Sequence, residues 1–428
     1  MTKRVAFLTL GCAKNEQDSA QMQQDLVRAG YEICSLDEPC DAIVVNTCAF
    51  IQPAIEESID TVLDISSTEA VQAGVTKLVV SGCMPARFGA ELEAELTEAD
   101  RFVPCAQESA IVHVMDDLLQ HDSSRTQRTV SFTYEPSEYV KISDGCSRHC
   151  SFCTIPLIRG PYHSFSFDQI ERDVKEKIDG GSKEIVFIAQ DSGIWGLDLK
   201  PRETLASLLD RIADAYPATW FRVMYLQPAG LTDELVEVMA AHSNICSYLD
   251  IPLQHCDSDI LSSMNRRGSR AEYEALVARL RDRIPDITLR TTLIVGYPGE
   301  TDEQFEDLCD FVAETAFDYV GIFAYSPEDG TPAAELPDQI DDETKQDRLQ
   351  TLRDIADAVS SQRISGRIGA SCDVLVLGAE EDGQLFGRTQ AQAPDVDGVT
   401  YIDGCEVGEM VPAIISDTLL YEMEATRD

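Results

Sequence analysis

The sequence predicts an α/β protein made of three successive domains. Two stretches alternate short apolar runs with helix-length amphipathic segments, as parallel strands and crossover helices do. The last stretch changes to short apolar runs separated by turn signals, which indicates a small antiparallel β-barrel. We therefore expect an open parallel α/β domain over residues 1–125, a partial (β/α)6 barrel over 132–365 and a β-barrel over 366–428.

The first domain has three predicted strands, which are Val5 to Leu10, Ala42 to Val45 and Lys77 to Val80. Between them, Gln17 to Ala29 and Pro53 to Ile65 carry apolar residues at helical spacing, which predicts crossover helices. The polar run from His121 to Arg128 contains no apolar anchor, and we predict that it links the first domain to the second.

The second domain has six predicted strands, which are Tyr139 to Ile142, Ile185 to Ala189, Phe221 to Tyr225, Tyr248 to Ile251, Thr288 to Val295 and Tyr319 to Phe323. Six units are fewer than a closed eightfold barrel contains, which predicts a partial, open barrel. In barrels of β/α units the active residues follow the C-terminal ends of the strands, so we expect them there. The third domain has five predicted strands, which are Val374 to Leu377, Leu385 to Thr389, Val399 to Ile402, Val411 to Ile415 and Leu419 to Tyr421.

The chain is strongly acidic, with a net charge of −42 from 76 acidic and 34 basic residues. Residues 366–428 alone contain 13 Asp or Glu, three Arg and no Lys. Such a surface repels the phosphates of nucleic acids and attracts a basic partner, so nucleic acid is not expected as the direct substrate. A proteome that is acidic throughout, as in salt-adapted cells, is an alternative cause of this composition.

Neither an export signal nor a membrane span is predicted. Lys3 and Arg4 precede an apolar run of only six residues, which is shorter than a secretory h-region. No uninterrupted apolar stretch approaches the roughly 20 residues that cross a bilayer. We expect a cytoplasmic protein without membrane contact, whose 14 cysteines are free, buried or metal-bound.

Cys146, Cys150 and Cys153 follow the first strand of the second domain with C-x3-C-x2-C spacing. Three thiolates can hold three irons of a [4Fe–4S] cluster and leave the fourth iron open to a ligand. Two alternatives remain, namely a zinc site with His149 as a fourth ligand and a thioredoxin-like pair at Cys150 and Cys153.

A second triad is predicted in the first domain, where Cys12, Cys48 and Cys83 each follow one strand. The C-terminal ends of parallel strands meet at one edge of a sheet, so these thiols should converge and hold a second cluster. Three unrelated buried cysteines are the alternative. The other eight cysteines, which show no ligand spacing and are expected to be buried apolar residues, are Cys34, Cys40, Cys105, Cys246, Cys256, Cys309, Cys372 and Cys405.

The barrel triad, with Phe152 before its third cysteine, resembles that of the radical S-adenosylmethionine superfamily. The second triad and a C-terminal barrel that looks like a TRAM domain are similar to the methylthiotransferases of that superfamily. This resemblance implies two [4Fe–4S] clusters and S-adenosylmethionine as cofactors, with Cys146, Cys150 and Cys153 as the catalytic residues. In that superfamily, reductive cleavage of S-adenosylmethionine gives a 5′-deoxyadenosyl radical, which abstracts a hydrogen atom from an unactivated carbon.

The resemblance also implies cofactor contacts by Phe152, by Gln190 after the second barrel strand and by Glu300 in the GYPGE segment after the fifth. Turn or cap roles remain open for Gln190 and Glu300. His255, after the fourth strand, is a candidate for a substrate contact. An electron donor such as flavodoxin or ferredoxin is implied as a partner.

Several segments look like the methylthiotransferase branch that modifies a ribosomal protein, and they are GCAKNEQDS around Cys12, AQDS at 189–192, YLDIPLQH at 248–255, SPEDGT at 326–331 and AQAPDVDGVTYI at 391–402. His163, Phe165 and the run Met84-Pro85-Ala86 depart from that pattern. The resemblance implies transfer of a methylthio group to the β-carbon of an aspartate in small-subunit ribosomal protein twelve, a basic protein.

A tRNA adenosine methylthiotransferase is the nearest alternative, and a non-catalytic iron–sulfur or zinc protein is an alternative of another class. The acidic third domain favours the protein substrate, because it gains no counterion-release affinity from RNA. Asp395 and Asp397, in the loop before Val399, are candidates for the surface that faces the basic partner.

Overall fold

The computed structural model describes residues 2–123 and 130–428, and it confirms the predicted fold class. A five-stranded parallel sheet is followed by six parallel strands in an arc and by a closed five-stranded barrel. Most of the predicted linker, from His121 to Arg128, lies outside the described residues. None of the helices in the described ranges has the length and hydropathy needed to span a bilayer.

The first domain contains β1 (Arg4–Thr9), α1 (Ala13–Arg28), β2 (Glu32–Cys34), β3 (Ala42–Thr47), α2 (Gln52–Ser66), α3 (Glu69–Gln72), β4 (Lys77–Gly82), α4 (Cys83–Phe88), α5 (Ala90–Glu95), β5 (Arg101–Pro104) and α6 (Ile111–Leu119). The strand order is β2-β1-β3-β4-β5, and all pairs are parallel. Every residue of β3 is buried, because helices cover both faces of the sheet. The three predicted strands are confirmed, whereas the short edge strands β2 and β5 were not predicted.

The second domain contains β6 (Ser137–Lys141), β7 (Ser143–Asp144), α7 (Ile155–Arg159), β8 (His163–Ser164), α8 (Phe167–Asp179), β9 (Glu184–Ile188), α9 (Leu205–Ala215), β10 (Trp220–Val223), α10 (Asp233–Ala241), β11 (Tyr248–Gln254), α11 (Ser258–Ser263), α12 (Arg270–Arg283), β12 (Thr288–Val295), α13 (Asp302–Thr315), β13 (Tyr319–Ala324) and α14 (Asp342–Ser365). Strands β6, β9 and β10 form one half of the arc, and β11, β12 and β13 form the other. The halves meet where the amide of Phe221 donates to the carbonyl of Asn244, with a nitrogen–oxygen distance of 2.8 Å. All six predicted barrel strands are confirmed.

The outer helices of the arc begin where the sequence supplies a cap. The residue before each helix from α8 to α14 is a Ser, Thr or Asp whose side chain accepts a hydrogen bond from an amide of the first turn. Such caps satisfy amides that have no acceptor within the helix. They fix where each crossover helix starts, and the apolar faces of these helices then pack on the strands as one core.

The third domain contains β14 (Ser371–Ala379), β15 (Leu385–Arg388), β16 (Thr400–Ile402), β17 (Met410–Leu419) and β18 (Glu422–Arg427). The barrel closes in the order β14-β15-β16-β18-β17. The fifth predicted strand, Leu419 to Tyr421, is wrong, because Leu419 ends β17 and the next two residues form the turn to β18, where Leu420 has a φ of +53°. The actual strand alternates charged residues with the buried Met423 and Ala425, a pattern too polar to stand out as an apolar run.

Buried ion pairs attach the third domain to the second. Glu184, at the start of β9, lies 2.9 Å from the guanidinium of Arg222 and 2.7 Å from that of Arg388 in β15. Burial alone would raise the pKa of Glu184, but the two arginines outweigh it and lower the pKa to about 2. The domain interface therefore depends on a carboxylate that is ionised at neutral pH.

The loop with Asp395 and Asp397 packs on the (β/α)6 barrel through Asp397, whose buried side chain is not available to a partner, whereas Asp395 is exposed. The side chain of Asp397 is fully buried, accepts a hydrogen bond from the hydroxyl of Tyr248 at 2.7 Å and lies 3.6 Å from the guanidinium of Arg290. Asp395 accepts a hydrogen bond from the hydroxyl of Tyr139. Both aspartates thus connect the third domain to the second. Asp397 looks solvent-facing in the sequence because its partners lie far away along the chain.

Replacing Glu184 with Gln should lower the free energy of unfolding by roughly 3–5 kcal/mol, because two buried guanidinium groups lose their carboxylate. Urea denaturation at pH 7, followed by circular dichroism, measures the loss. The control is Glu203→Gln, whose exposed pairing with Arg211 at 3.2 Å should contribute about 0–1 kcal/mol. Equal losses in the two variants would contradict the assignment.

The same variant has a defined pH dependence. A carboxylate whose pKa is depressed in the folded state stabilises the fold above its ordinary pKa, here 4.5, and that contribution is lost as pH falls through the folded-state value. The difference in the free energy of unfolding between wild type and Glu184→Gln should therefore shrink as pH falls from about 4.5 to about 2.

Candidate active site

The structure brings Cys12, Cys48 and Cys83 together at the C-terminal edge of the first sheet. They follow β1, β3 and β4 respectively. Burial raises the pKa of the Cys48 thiol to about 11, and negative charge on Cys83 and Cys12 adds to this rise. The three sulfurs therefore lie close enough to interact, as expected of ligands that share one group.

Glycines permit this close approach of the strand ends. Gly11 has a φ of +98°, and a Cβ atom there would lie 2.8 Å from the Cβ atom of Cys48. Gly82 has a φ of +95°, and its Cβ atom would lie 2.2 Å from Oδ1 of Asn46. Both backbones are in the region that glycine alone adopts freely. The residue before Cys12 and the residue before Cys83 must therefore lack a side chain.

Cys146, Cys150 and Cys153 lie in the loop between β7 and α7. The amide of Cys153 donates to the carbonyl of Cys150 at 3.2 Å, and burial together with the other two thiols raises the pKa of Cys153 to about 12. The loop is tied to the segment after α11, because the side-chain amide of Asn265 donates to the carbonyl of His149 at 2.7 Å. The three thiols thus share one small region.

The donor set of each triad fits a four-iron cluster. Within residues 2–123 and 130–428, no three His, Cys, Asp or Glu side chains are arranged to hold a single metal ion. Structural zinc requires four ligands around one point, whereas a [4Fe–4S] cluster takes its thiolates at separate irons. Cysteine thiolates are the ligands that such a cluster uses, so the donor chemistry of each triad is compatible with one.

The two triads lie on facing surfaces of the first and second domains. The hydroxyl of Thr154, the residue after Cys153, donates to the carbonyl of Phe50 at 3.0 Å. Phe50 is two residues from Cys48. Helix α7 begins next, and its Ile158 is buried in the core of the first domain. One short segment of the barrel thus reaches from one triad to the surroundings of the other.

Arg159 ends α7 beside the N-terminal triad. Its guanidinium donates to Oδ1 of Asn15 at 3.0 Å, and the thiol of Cys83 donates to the same oxygen at 3.6 Å. Asn15 also donates to the carbonyls of Leu10 and Thr47, at the ends of β1 and β3. This amide therefore links two strand ends, a triad cysteine and a cation of the barrel.

A buried ion network, formed by Asp18, Lys141, Asp144 and Arg159, joins the two domains at this point. Asp18, from α1, lies 2.5 Å from Lys141 and 2.9 Å from Arg159. Asp144 lies 2.9 Å from Lys141 and 3.3 Å from Arg159. Burial opposes ionisation of Asp144, but the two cations hold its pKa well below the usual range. Each cation of the network is therefore paired with both carboxylates.

Cys105 is a functional neighbour that the sequence pattern did not reveal. It follows β5 at the same sheet edge, and its thiol lies close enough to that of Cys83 for the two groups to interact. The neighbouring Cys105 and Arg159 lower the pKa of Cys83, against the effect of burial. The signal was present, since Cys105 also follows a strand, but β5 is too short to be predicted.

Arginines beside the barrel triad were also missed. A cavity of about 300 Å³ opens next to Cys150, and its other charged or polar lining residues are Arg148, His149, Gln227, Asn265, Arg266 and Arg267. A guanidinium nitrogen of Arg266 lies 4.0 Å from the sulfur of Cys150. In so acidic a chain, this concentration of positive charge suits an anionic ligand such as a carboxylate.

Gln190 and Phe152, which are predicted to contact the cofactor, lie in different surroundings. Oδ1 of Asp191 and Oε1 of Gln190, both after β9, are buried and have no hydrogen-bond partner in the described part of the chain, which leaves acceptors for a ligand. Phe152 packs beside the triad loop against an apolar cluster that includes Tyr297 and Tyr325. These surroundings are compatible with the cofactor contacts predicted for Gln190 and Phe152.

Glu300 is engaged within the protein. Its carboxylate lies 2.9 Å from Arg348, accepts the amide of Gly296 and lies 3.3 Å from Nε2 of His255. These contacts favour a structural role for Glu300, which holds the GYPGE turn, and they disfavour the predicted contact with the cofactor. Nδ1 of His255 accepts the amide of Asp257 at 3.0 Å, and the ring is fully buried. His255 is therefore not exposed to a macromolecular substrate.

Known families match each part of the chain. The Radical SAM superfamily matches residues 140–312, the uncharacterized protein family UPF0004 matches residues 4–104, and the TRAM domain matches residues 368–427. Among solved structures, the radical S-adenosylmethionine methyltransferase TsrM from Kitasatospora setae has a TM-score of 0.57 at 15% identity, over 78% of this chain and 77% of that one. OxsB, a cobalamin-dependent S-adenosylmethionine radical enzyme, has a TM-score of 0.53 at 12% identity, over 82% of this chain and 56% of that one. Identities this low support the fold alone.

The fold and the family matches define a radical S-adenosylmethionine enzyme with a C-terminal TRAM domain. Relatives named ribosomal protein uS12 methylthiotransferase RimO align with almost the whole chain. The protein of Trichlorobacter lovleyi is 37% identical over 99% of this chain and 98% of its own, and that of Syntrophus aciditrophicus is 41% identical over 94% and 92%. The protein of Geobacter sulfurreducens is 39% identical over 98% of both chains. This chain belongs to the RimO family.

Proposed function

We propose that this protein is the radical S-adenosylmethionine enzyme that transfers a methylthio group to the β-carbon of an aspartate in ribosomal protein uS12. The observation that supports this most directly is the pair of cysteine triads on facing domain surfaces, linked by α7. Two such sites allow one cofactor to activate a carbon and another to deliver sulfur to it. Membership of the RimO family supports uS12 as the macromolecular substrate.

Each triad has a separate role in this proposal. Cys146, Cys150 and Cys153 hold the cluster whose open iron binds S-adenosylmethionine, and Cys12, Cys48 and Cys83 hold a second cluster. When bound, these cofactors would supply the hydrogen-abstracting radical, the sulfur that is transferred and, from a second S-adenosylmethionine, the methyl group on that sulfur. A redox protein such as flavodoxin or ferredoxin is the proposed electron donor.

The residues around the barrel triad orient the cofactor. Arg266, whose guanidinium lies beside the sulfur of Cys150, would bind the methionine carboxylate of S-adenosylmethionine. Arg148 is paired with the buried Asp191, which fixes the triad loop against the end of β9. Oε1 of Gln190, which is buried without a hydrogen-bond partner in the described part of the chain, would accept a hydrogen bond from a polar group of the same ligand.

The third domain provides a surface for the basic partner. A groove of about 560 Å³ between the two barrels is lined by residues that include Asp395, Glu422 and the exposed Leu419 and Leu420. Acidic groups around exposed leucines suit a basic protein with apolar side chains, and opposite charge speeds association. The same charge opposes tRNA, so the tRNA-modifying alternative is disfavoured.

Reconstituted protein with a reductant should add a methylthio group to uS12 and leave tRNA unmodified, as measured by mass spectrometry of the protein and of tRNA nucleosides. Changing Cys12, Cys48 and Cys83 together to Ala should stop methylthiolation while release of 5′-deoxyadenosine continues, because the barrel triad is intact. A modified adenosine instead of a modified aspartate would overturn the substrate assignment. Loss of 5′-deoxyadenosine in a variant that keeps the barrel cluster would contradict the division of roles.

The holoprotein should contain about eight irons and eight sulfides, since each triad is expected to carry one four-iron cluster. Changing Cys146, Cys150 and Cys153 together to Ala should halve both contents in chemical analysis. The matched control changes Cys34, Cys309 and Cys405, which are partly exposed and outside both triads, and should keep full iron. Full iron in the first variant would show that the barrel triad is not a cluster site.

A further inference from the structure

Lys14 places a buried cation beside the N-terminal triad. It lies in the first turn of α1, two residues after Cys12, and only 9% of its surface is exposed. Its ammonium nitrogen lies 3.5 Å from the centroid of the Tyr225 ring. In the described part of the chain, no carboxylate forms an ion pair with it. Its amine is therefore a buried hydrogen-bond donor that can bind an acceptor from a ligand.

The nearby acidic groups are already neutralised by other cations. Asp250 lies 2.9 Å from Arg290, and Asp144 lies 2.9 Å from Lys141. Lys14 interacts electrostatically with both aspartates and with Cys12, which places it between the surroundings of the two triads. Burial lowers the pKa of Lys14, and these anionic groups oppose that effect, so a further carboxylate beside the amine would favour its charged form. The N-terminal end of α1, where Lys14 sits, adds a further partial positive charge.

The backbone of Tyr225 is strained in a way that keeps its ring under Lys14. Tyr225 follows β10 at the active edge of the arc and has a φ of +63°, which costs a bulky residue about 1–2 kcal/mol. Its amide donates to the carboxylate of Asp250 at 3.2 Å, which holds this conformation. Strain of this kind persists where the surrounding structure fixes a functional geometry.

We propose that Lys14 binds the side-chain carboxylate of the substrate aspartate and so holds the β-carbon of that residue between the two triads. This inference rests on the proposed function, and it attributes the preference of the enzyme for an acidic residue to Lys14. The Tyr225 ring orients the ammonium without neutralising it, so a carboxylate completes its hydrogen bonds and its charge. An asparagine in the same position would present a neutral amide and gain much less from the contact.

The test compares binding of full-length uS12 and of a uS12 variant with Asn at the target position. The proteins are cluster-loaded wild type, Lys14→Met, Lys14→Arg and Lys183→Met. Lys183 is exposed at the opposite end of β9 from the active edge, so its variant removes the same charge at a remote place. Iron content shows whether each variant retains its clusters.

Wild type and Lys183→Met should bind the aspartate form about 10- to 100-fold more tightly than the asparagine form, as one charged hydrogen-bonded contact allows. Lys14→Met should bind both forms with equal, weak affinity, and Lys14→Arg should recover part of the preference. If Lys14→Met, with full iron, kept the wild-type preference, the inference would be overturned while the proposed function stood. If wild type bound neither form, the proposed function would fail as well.

Discussion

The buried network of Asp18, Lys141, Asp144 and Arg159 is the interaction on which the rest of the site depends. One carboxylate comes from α1 of the first domain, and the other three groups come from the barrel. Removing any member leaves an unpaired buried charge, at a cost of roughly 3–5 kcal/mol, so the two domains are fixed relative to each other. Because Arg159 also contacts Asn15 beside Cys83, this network sets the position of one cysteine triad with respect to the other.

Positive charge is concentrated where the chemistry needs it, although the whole chain is acidic. Lys14 and Arg159 lie beside the N-terminal triad, and Arg148 and Arg266 lie beside Cys150 of the barrel triad. The groups that come together there are thiolates, the carboxylate of S-adenosylmethionine and, in our proposal, an aspartate. Cations in a buried site stabilise such anions far more than they would in water. The acidic outer surface is left free to attract a basic protein.

Much of this arrangement could be predicted from sequence because local patterns encode it. Cysteines after parallel strands predicted one triad, and the C-x3-C-x2-C spacing predicted the other. Contacts between residues far apart in sequence could not be predicted, such as Asp18 with Lys141, or Asp397 with Tyr248 and Arg290. A charged residue in a polar loop looks exposed until its partner is known. Cys105 was missed for a related reason, since its strand β5 has only four residues.

The central claim is that buried charges hold the two triads at a fixed separation. Pulsed electron paramagnetic resonance on the reduced holoprotein measures the distance between the two cluster spins and the width of its distribution. We expect a single narrow distribution in wild type and a broadened one in Asp18→Asn, which removes the first domain's contribution to the network. A broad distribution in wild type, or an unchanged narrow one in Asp18→Asn, would contradict the claim.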